Sequence, residues 1–228
     1  MHDTWSPDQY DKFAAERRRP FVDLLELVDP VPAGRVVDLG CGTGALTVQL
    51  HRATGAATTL GVDSSAAMLE KAEPLAGDGA RFELGDIEEW SAAGTERPDV
   101  IFANASLQWV ADPPGLLGRL VRSLAPRGQL AFQVPANQDH PSHVLARELA
   151  AEPEWRDELA GGPPVDQGGH VLEWVQGTLL TPYRAALDPA AYDRFVSEYR
   201  TRLVAELGPA RPYFYAFKRI LARARMAD

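Results

Sequence analysis

Residues 35–44 read Arg35-Val36-Val37-Asp38-Leu39-Gly40-Cys41-Gly42-Thr43-Gly44. This run predicts a buried strand that passes through a glycine-rich turn into a helix beginning at Ala45. Glycines at alternate positions let the backbone turn tightly and let a ligand lie against it. Asp38 precedes the turn, where its carboxylate would repel a pyrophosphate and attract a cation. We therefore expect a ligand with a cationic amino group and no phosphate, such as S-adenosylmethionine.

Strand and helix signals alternate on both sides of this turn. Short apolar runs predict strands at 36–39, 58–63, 80–84, 98–103 and 128–134. Helical patterns cover 6–27, 45–52, 64–72 (capped by Ser64), 113–124, 143–151, 171–178 and 190–207. Strands separated by helices imply right-handed crossovers and parallel pairing. The predicted fold class is α/β, a doubly wound, mostly parallel, Rossmann-like sheet with ligands at the carboxyl ends of its strands.

Three segments are less regular. Pro20 is expected to break or restart the first helix, because it lacks an N–H donor and clashes with the preceding turn. Residues 152–170 are rich in Pro and Gly, and we predict neither a helix nor a strand there. Residues 214–224 form a short apolar run that is compatible with a strand or a helix.

Composition narrows the class of protein. The chain has 228 residues and 45% hydrophobic residues, enough for one sizeable α/β core with a small lid. The net charge of −9 disfavours a general nucleic-acid binder, which needs clustered Lys and Arg. It does not exclude a small anionic substrate in a local basic pocket. The expected partner is therefore a small molecule, while the oligomeric state stays open, with a monomer favoured.

The compartment follows from the cysteine count and the absence of membrane signals. Cys41 is the single cysteine, which excludes an internal disulfide and fits a reducing cytosol. No run approaches a membrane span, and the first residues lack a secretion signal, so we expect a cytoplasmic protein without membrane attachment. The five histidines show no metal-ligand spacing, so we expect no metal.

Polar residues close three further predicted strands. Asp63 closes the second strand, where a carboxylate can accept both ribose hydroxyls, and Asp86 closes the third, where it can accept from an adenine amino group. Asn104 closes the fourth and could contact the ligand or a second substrate. The alternative, a chance placement of these residues around a structural turn, is the weaker interpretation because these strand ends line one crevice.

For the remaining candidate site residues, a purely structural role is the alternative to a role in ligand binding. Gln108 and Trp109 could form the floor of the ligand pocket, and Trp109 could equally pack in the core. Arg17 and Arg19 could be a solvated helix face or could bind a carboxylate through their guanidinium groups. Cys41 is expected to pack as a small hydrophobic residue rather than to act as a nucleophile.

Together these residues resemble the class I methyltransferases that use S-adenosylmethionine. A narrower resemblance is to the trans-aconitate 2-methyltransferases: it rests on residues 5–20, residues 102–109, residues 135–148 and residues 171–175. It implies a single domain over 1–228, with lid helices at 1–30, a cofactor-binding core at 31–150, and a helical cap with the last strand at 151–228. The expected cofactor contacts are Tyr10 in the lid, Asp38, Gly40, Gly42, Gly44, Asp63, Ser64, Met68, Asp86, Ile87 and Asn104.

The resemblance implies methyl transfer to a carboxylate of trans-aconitate, with S-adenosylhomocysteine as the second product. No catalytic acid or base is expected, because a carboxylate is already ionised at neutral pH. The expected substrate contacts are Arg17, Arg19, Gln108, Trp109 and His143. Two alternatives stay open: a methyltransferase acting on another small-molecule oxygen or nitrogen, and a non-catalytic protein that binds the same cofactor.

The sequence departs from the family in one place. Family members carry a helix and a sixth strand between the segments around Glu148 and Val171, and residues 152–170 contain neither pattern. Either the chain has a deletion, or residues of the natural protein are missing from this sequence between about 152 and 170. We favour the second, because a final strand without its neighbour would expose a sheet edge.

Overall fold

The computed structural model describes residues 14–94, 97–159, 179–208 and 218–227, and they divide into two compact units. The first unit contains Met1–Val134 and Ile220–Asp228, and the second contains Pro135–Arg219. The predicted contact Tyr10 and the predicted helices at 6–13 and 171–178 lie outside the described residues, as does the side chain of Arg17.

The first unit is built on a six-stranded sheet with the order β3-β2-β1-β4-β5-β6. Neighbouring strands from β3 to β5 pair in parallel, which confirms the predicted doubly wound, mostly parallel sheet. Hydrogen bonds from Ala136 N to Lys218 O and from Met226 N to Gly128 O show that β6 runs antiparallel to β5. The strands are β1 (Arg35–Leu39), β2 (Thr58–Asp63), β3 (Ala80–Leu84), β4 (Val100–Asn104), β5 (Gln129–Pro135) and β6 (Arg219–Arg225).

Side chains of alternate residues in the central strands point to opposite faces of the sheet. On one face, Val36 and Phe102 join Phe21 of the first helix in a buried cluster, with the Phe21 and Phe102 rings 5.4 Å apart. On the other face, Val37 and Ile101 pack against the helix that spans residues 113–123. The helices of this unit are α1 (Ala14–Leu25), α2 (Ala45–Thr54), α3 (Ala66–Ala72), α4 (Ile87–Ala93) and α5 (Pro113–Ser123).

The prediction that Pro20 breaks the first helix is wrong. Helix α1 passes through Pro20 without interruption and ends at Leu25. Phe21 and Leu24, just beyond the proline, are 1% and 0% exposed in the apolar cluster. The burial of these two side chains outweighs the one backbone hydrogen bond that the proline removes.

The second unit contains four described helices with an aromatic core: α6 (Pro141–Ala151), α7 (Pro153–Leu159), α8 (Thr181–Ala186) and α9 (Pro189–Leu207). Helix α7 overturns the expectation that 152–170 holds no helix. Its Trp155 is 1% exposed and meets Phe195 edge to face at 5.2 Å. The hydrophobic surface that stabilises this short helix comes from α9, so local sequence patterns could not reveal it.

Two further assignments are settled by the structure. Residues 219–225 form strand β6 rather than a helix, and residues 214–217 lie outside the described part. The N-cap of α3 is Ser65 rather than Ser64, because the Ser65 hydroxyl accepts from Met68 N at 3.2 Å. None of the helices in the described ranges is long and apolar enough to span a membrane.

Candidate active site

A cleft opens at the carboxyl ends of strands β1 to β4. Parallel strands in a doubly wound sheet carry their ligands at this edge. The residues that line it are Gly40, Gly42, Asp63, Ser64, Met68, Asp86, Ile87, Glu88, Asn104, Ala105, Ser106, Trp109 and Val110. The structure therefore brings together most of the predicted cofactor contacts, and it places Trp109, 39% exposed, at the same cleft.

Five predicted residues do not line this cleft. Asp38 is buried under the glycine turn, and Gly44 is the left-handed N-cap of α2, where a Cβ would collide with Phe82. Gln108 donates from Nε2 to the carbonyl of Ala105 at 2.7 Å. Arg19 is exposed on α1. His143 belongs to the second unit, where it is 1% exposed.

Gly40 and Gly42 have different roles in the turn, although both have positive φ angles, of 79° and 55°. A Cβ on Gly40 would lie 2.4 Å from the Cβ of Ser106, so the neighbouring loop requires glycine there. A Cβ on Gly42 would meet no atom within 4 Å. The absent side chain of Gly42 leaves open space at the cleft, into which a ligand fits against the backbone.

This contrast predicts different effects of two alanine substitutions. Gly40→Ala should lower the free energy of unfolding by about 3 kcal/mol, because strain and a steric clash add. Gly42→Ala should cost about 1 kcal/mol, the penalty for a left-handed alanine, but should weaken S-adenosylhomocysteine binding at least tenfold. Urea unfolding and calorimetry measure the two quantities. Equal losses of stability in both variants would contradict the assignment.

Asp63 holds the glycine turn in position. Its Oδ2 accepts from Gly42 N at 2.8 Å and its Oδ1 accepts from Ser65 N at 2.9 Å. A carboxylate offers about four acceptor positions, so Asp63 can hold the turn and also receive ribose hydroxyls. The sequence predicted the ribose role and missed the bond to the turn, which depends on the parallel pairing of β1 with β2.

Asp38 occupies an apolar environment beneath the turn. Its side chain is 4% exposed, and its Oδ2 accepts a hydrogen bond from the Thr47 hydroxyl at 2.6 Å. Burial raises the pKa of Asp38 to about 7, the Thr47 hydrogen bond opposes this, and the negative charge of Asp63 adds to it. Burial also raises the pKa of the Cys41 thiol well above its usual range, so Cys41 is an inert packing residue.

Asp86 is the N-cap of α4, a helix that sequence patterns did not reveal. Its Oδ1 accepts from Glu88 N at 2.7 Å and from Glu89 N at 3.3 Å. Both hydrogen bonds end on the same carboxylate oxygen of Asp86 and hold its side chain at the start of the helix. Oδ2 can then accept from an adenine amino group, as the sequence predicted for Asp86.

The segment after β4 forms a tightly held corner. Ala105 has a φ of 56°, an uncommon conformation for a residue with a side chain. Its N–H donates to Gln133 O at 2.9 Å, and its carbonyl accepts from Gln108 Nε2. The Ser106 hydroxyl donates to Leu39 O at 2.6 Å, which ties the corner to β1. Ala105, Ser106, Val110 and Glu88 were not predicted, because neither residue type nor position marks them as ligand contacts.

The cleft fits S-adenosylmethionine on three counts. Open space lies in front of Gly42, two carboxylates stand at the ends of β2 and β3, and a third carboxylate lies beneath the turn. Two or more carboxylates near the turn disfavour a phosphorylated ligand and favour a cationic one. Within the described ranges, no group of three or more His, Cys, Asp or Glu side chains could hold a metal ion.

Known proteins share this architecture. A solved structure of a methyltransferase with a methyltransferase activator from Haloferax volcanii matches with a TM-score of 0.51 and 22% identity, over 81% of this chain and 92% of that one. This likeness supports the fold alone. The plantazolicin methyltransferase BamL matches with a TM-score of 0.50 and 18% identity, over 84% of this chain and 65% of that one.

Sequence relatives extend over nearly the whole chain. The trans-aconitate 2-methyltransferase of Deinococcus radiodurans is 41% identical over 254 aligned positions, which cover 96% of each chain. That of Acidovorax ebreus is 49% identical, over 89% of this chain and 90% of that protein. The 254 positions exceed the 228 residues of this chain, so the Deinococcus protein contains residues without a counterpart here. A missing helix and strand would produce this difference.

A family model described as a methyltransferase domain matches residues 10–179. These residues contain the glycine turn and every residue that lines the cleft. The chain therefore belongs to the methyltransferase domain family and, within it, to the trans-aconitate 2-methyltransferases.

Proposed function

We propose that this protein transfers the methyl group of S-adenosylmethionine to a carboxylate of trans-aconitate, giving a monomethyl ester and S-adenosylhomocysteine. The observation that carries the proposal is the similarity to trans-aconitate 2-methyltransferases over nearly the full chain. The distribution of charge in the cleft supports it. The carboxylates of Asp63 and Asp86 lie at β2 and β3, whereas Asn104, Ala105 and Ser106 at β4 are neutral.

The residues of the cleft bind and orient the two reactants. Asp63 would hold the ribose hydroxyls of the cofactor, and Asp86 would hold its adenine amino group. The cofactor, when bound, supplies a methyl group on a positively charged sulfur. Asp38 lies beneath the turn, and its ionised form, which prevails above pH 7, would attract the cofactor's amino group. The neutral residues at the end of β4 would leave that part of the cleft open to an anionic methyl acceptor.

The cleft needs no proton acceptor for this reaction. A carboxylate nucleophile is ionised at neutral pH, and the cleft as described has no His, Lys, Cys or Tyr side chain in its lining. Catalysis then comes from placing the oxygen, the methyl group and the sulfur in line, which contributes about 7–11 kcal/mol in favourable cases. Exclusion of water assists, because opposite charges neutralise each other as the bond forms.

A transfer assay with labelled methyl groups tests the proposal. The acceptors are trans-aconitate, cis-aconitate and a panel of phenols, and the expected result is preferential labelling of trans-aconitate. Labelling of a phenol instead would favour a methyltransferase for another oxygen. If calorimetry detects no binding of S-adenosylmethionine, the chain is not a methyltransferase that uses this cofactor.

Arg19 is proposed to contact a carboxylate of the substrate. Arg19→Ala should raise KM for trans-aconitate at least fivefold and change kcat less, because a hydrogen-bonded charge contributes to binding. Arg18→Ala is the matched control, since both side chains are exposed on α1. Kinetics of Arg19→Ala equal to those of the control would show that Arg19 is a surface residue.

Further parts of the proposal rest on the family resemblance. Arg17 and His143 are proposed as additional substrate contacts, and Tyr10 as part of a lid over the cofactor. We also propose that the protein works in the cytoplasm, where its single cysteine stays reduced.

A further inference from the structure

Gln133 and Asn104 form a pair of amides at the carboxyl ends of two adjacent strands. They are directly opposite each other in the register of β4 and β5. Gln133 Nε2 donates to Asn104 Oδ1 at 3.0 Å. Asn104 lines the cleft, whereas Gln133 is 1% exposed and lies behind it. Gln133 was not among the residues predicted from the sequence.

This hydrogen bond determines how the Asn104 amide is oriented. An amide has one oxygen acceptor and one NH2 donor group. Because Gln133 occupies Oδ1, the Nδ2 group of Asn104 is the one left to face the cleft. Gln133 Oε1 is buried and makes no hydrogen bond to the described residues, so the hydrogen bond to Asn104 is the one that the Gln133 amide makes among them.

The position of the pair assigns it to the substrate rather than to the cofactor. In the sheet order, β4 and β5 lie on one side of β1, and β2 and β3 lie on the other. Asp63 is the last residue of β2, and Asp86 and Glu88 follow β3, so all three carboxylates lie on the side of β2 and β3. A negatively charged acceptor would be repelled on that side. A neutral N–H donor at the end of β4 meets it without such repulsion.

We infer that Gln133 is a positioning residue, which turns the Asn104 amide so that its N–H donates to a carboxylate oxygen of the methyl acceptor. The inference rests on the proposed function and deepens it. The N–H would hold one oxygen of the carboxylate and leave the other free. With the cofactor bound, that oxygen would form a bond to the methyl carbon as the bond from this carbon to the sulfonium sulfur breaks, and the electron pair of the broken bond would stay on the sulfur of S-adenosylhomocysteine. Asn104 touches the substrate, and Gln133 acts only through Asn104.

The test compares two substitutions in the same strand. Gln133→Leu removes the donor to Asn104, and KM for trans-aconitate should rise about tenfold, the usual effect of one hydrogen bond to a charged group. The Kd of S-adenosylhomocysteine, measured by calorimetry, should stay within about twofold. Gln129→Leu is the matched control. Gln129 is 2% exposed at the other end of β5 and contacts the backbone of Asp29.

A second variant tests the orientation itself. At about pH 9, where a buried glutamate is ionised, the carboxylate of Gln133→Glu cannot donate to Asn104 Oδ1, so the Asn104 amide should turn and present Oδ1 to the cleft when the variants are compared at this pH. Its KM should exceed that of Gln133→Leu, because an acceptor now faces the substrate carboxylate, while the Kd of S-adenosylhomocysteine is again retained. The larger KM in this variant would support orientation rather than simple packing.

The outcomes separate this inference from the proposed function. A parent enzyme that does not methylate trans-aconitate overturns the proposed function and, with it, this inference. A parent that does, together with parental KM in Gln133→Leu, overturns the inference alone. An equal rise of KM in Gln129→Leu, or an equal loss of S-adenosylhomocysteine affinity in Gln133→Leu, would show a structural effect and would also overturn it.

Discussion

Asp63→Ala should weaken S-adenosylhomocysteine binding by about 100-fold or more, because two hydrogen bonds from ribose hydroxyls to a charged group are lost together. The structure adds a second reason. The same carboxylate accepts from Gly42 N and Ser65 N, so its removal also releases the glycine turn against which the ligand lies. Titration calorimetry measures the affinity, and circular dichroism checks that the sheet is intact.

Glu83→Ala is the control for the loss of one negative charge. Glu83 is exposed in the neighbouring strand β3 and pairs with Arg81 at 3.3 Å. Its removal should leave the affinity unchanged. Asp63→Asn should fall between the parent and Asp63→Ala, because one side-chain oxygen remains to accept from a backbone N–H. An Asp63→Ala protein with parental affinity and a native spectrum would reject the ribose assignment.

Asp38→Asn should remove the contribution of Asp38 to the change of stability between about pH 4 and 7. The folded pKa of Asp38 is about 7, above the ordinary value of 3.8. An acid with a raised folded pKa binds its proton more tightly in the folded state, so the parent loses stability as pH rises through this window. The loss approaches about 4 kcal/mol for a shift of this size. Urea unfolding at pH 4 to 8 measures it.

Thr47→Val tests the contribution of the Thr47 hydrogen bond to the pKa of Asp38. The Thr47 hydroxyl donates to Asp38 Oδ2 and opposes the rise in pKa, so its removal should extend the loss of stability to higher pH. Asparagine at position 38 keeps an oxygen that can accept from Thr47. It lacks the charge that attracts a cationic amino group, so Asp38→Asn should also weaken S-adenosylhomocysteine binding at pH 8. Identical pH profiles in the parent and Asp38→Asn would show that Asp38 titrates alike in both states.

The central sheet could be predicted because each strand is marked by a local run of apolar residues. Val36, Val37 and Leu39 form a short apolar run, and a strand buried on both faces needs such a run. The elements that failed prediction depend on distant partners. Helix α7 is stabilised by Trp155 against Phe195, and α1 continues through Pro20 because Phe21 packs on Phe102. No window of local sequence contains both members of such a pair.

Most of the residues that line the cleft could be predicted from the sequence alone. Glycines and carboxylates at the ends of successive strands are visible in the local sequence, and the topology of a doubly wound sheet brings these strand ends together. The contacts that each residue makes there depend on the tertiary structure. In the fold, Gly40 accommodates Ser106 while Gly42 faces open space, Asp38 is buried, and Gln133 donates a hydrogen bond to Asn104. These properties depend on side chains from different strands meeting at distances that only the folded chain defines.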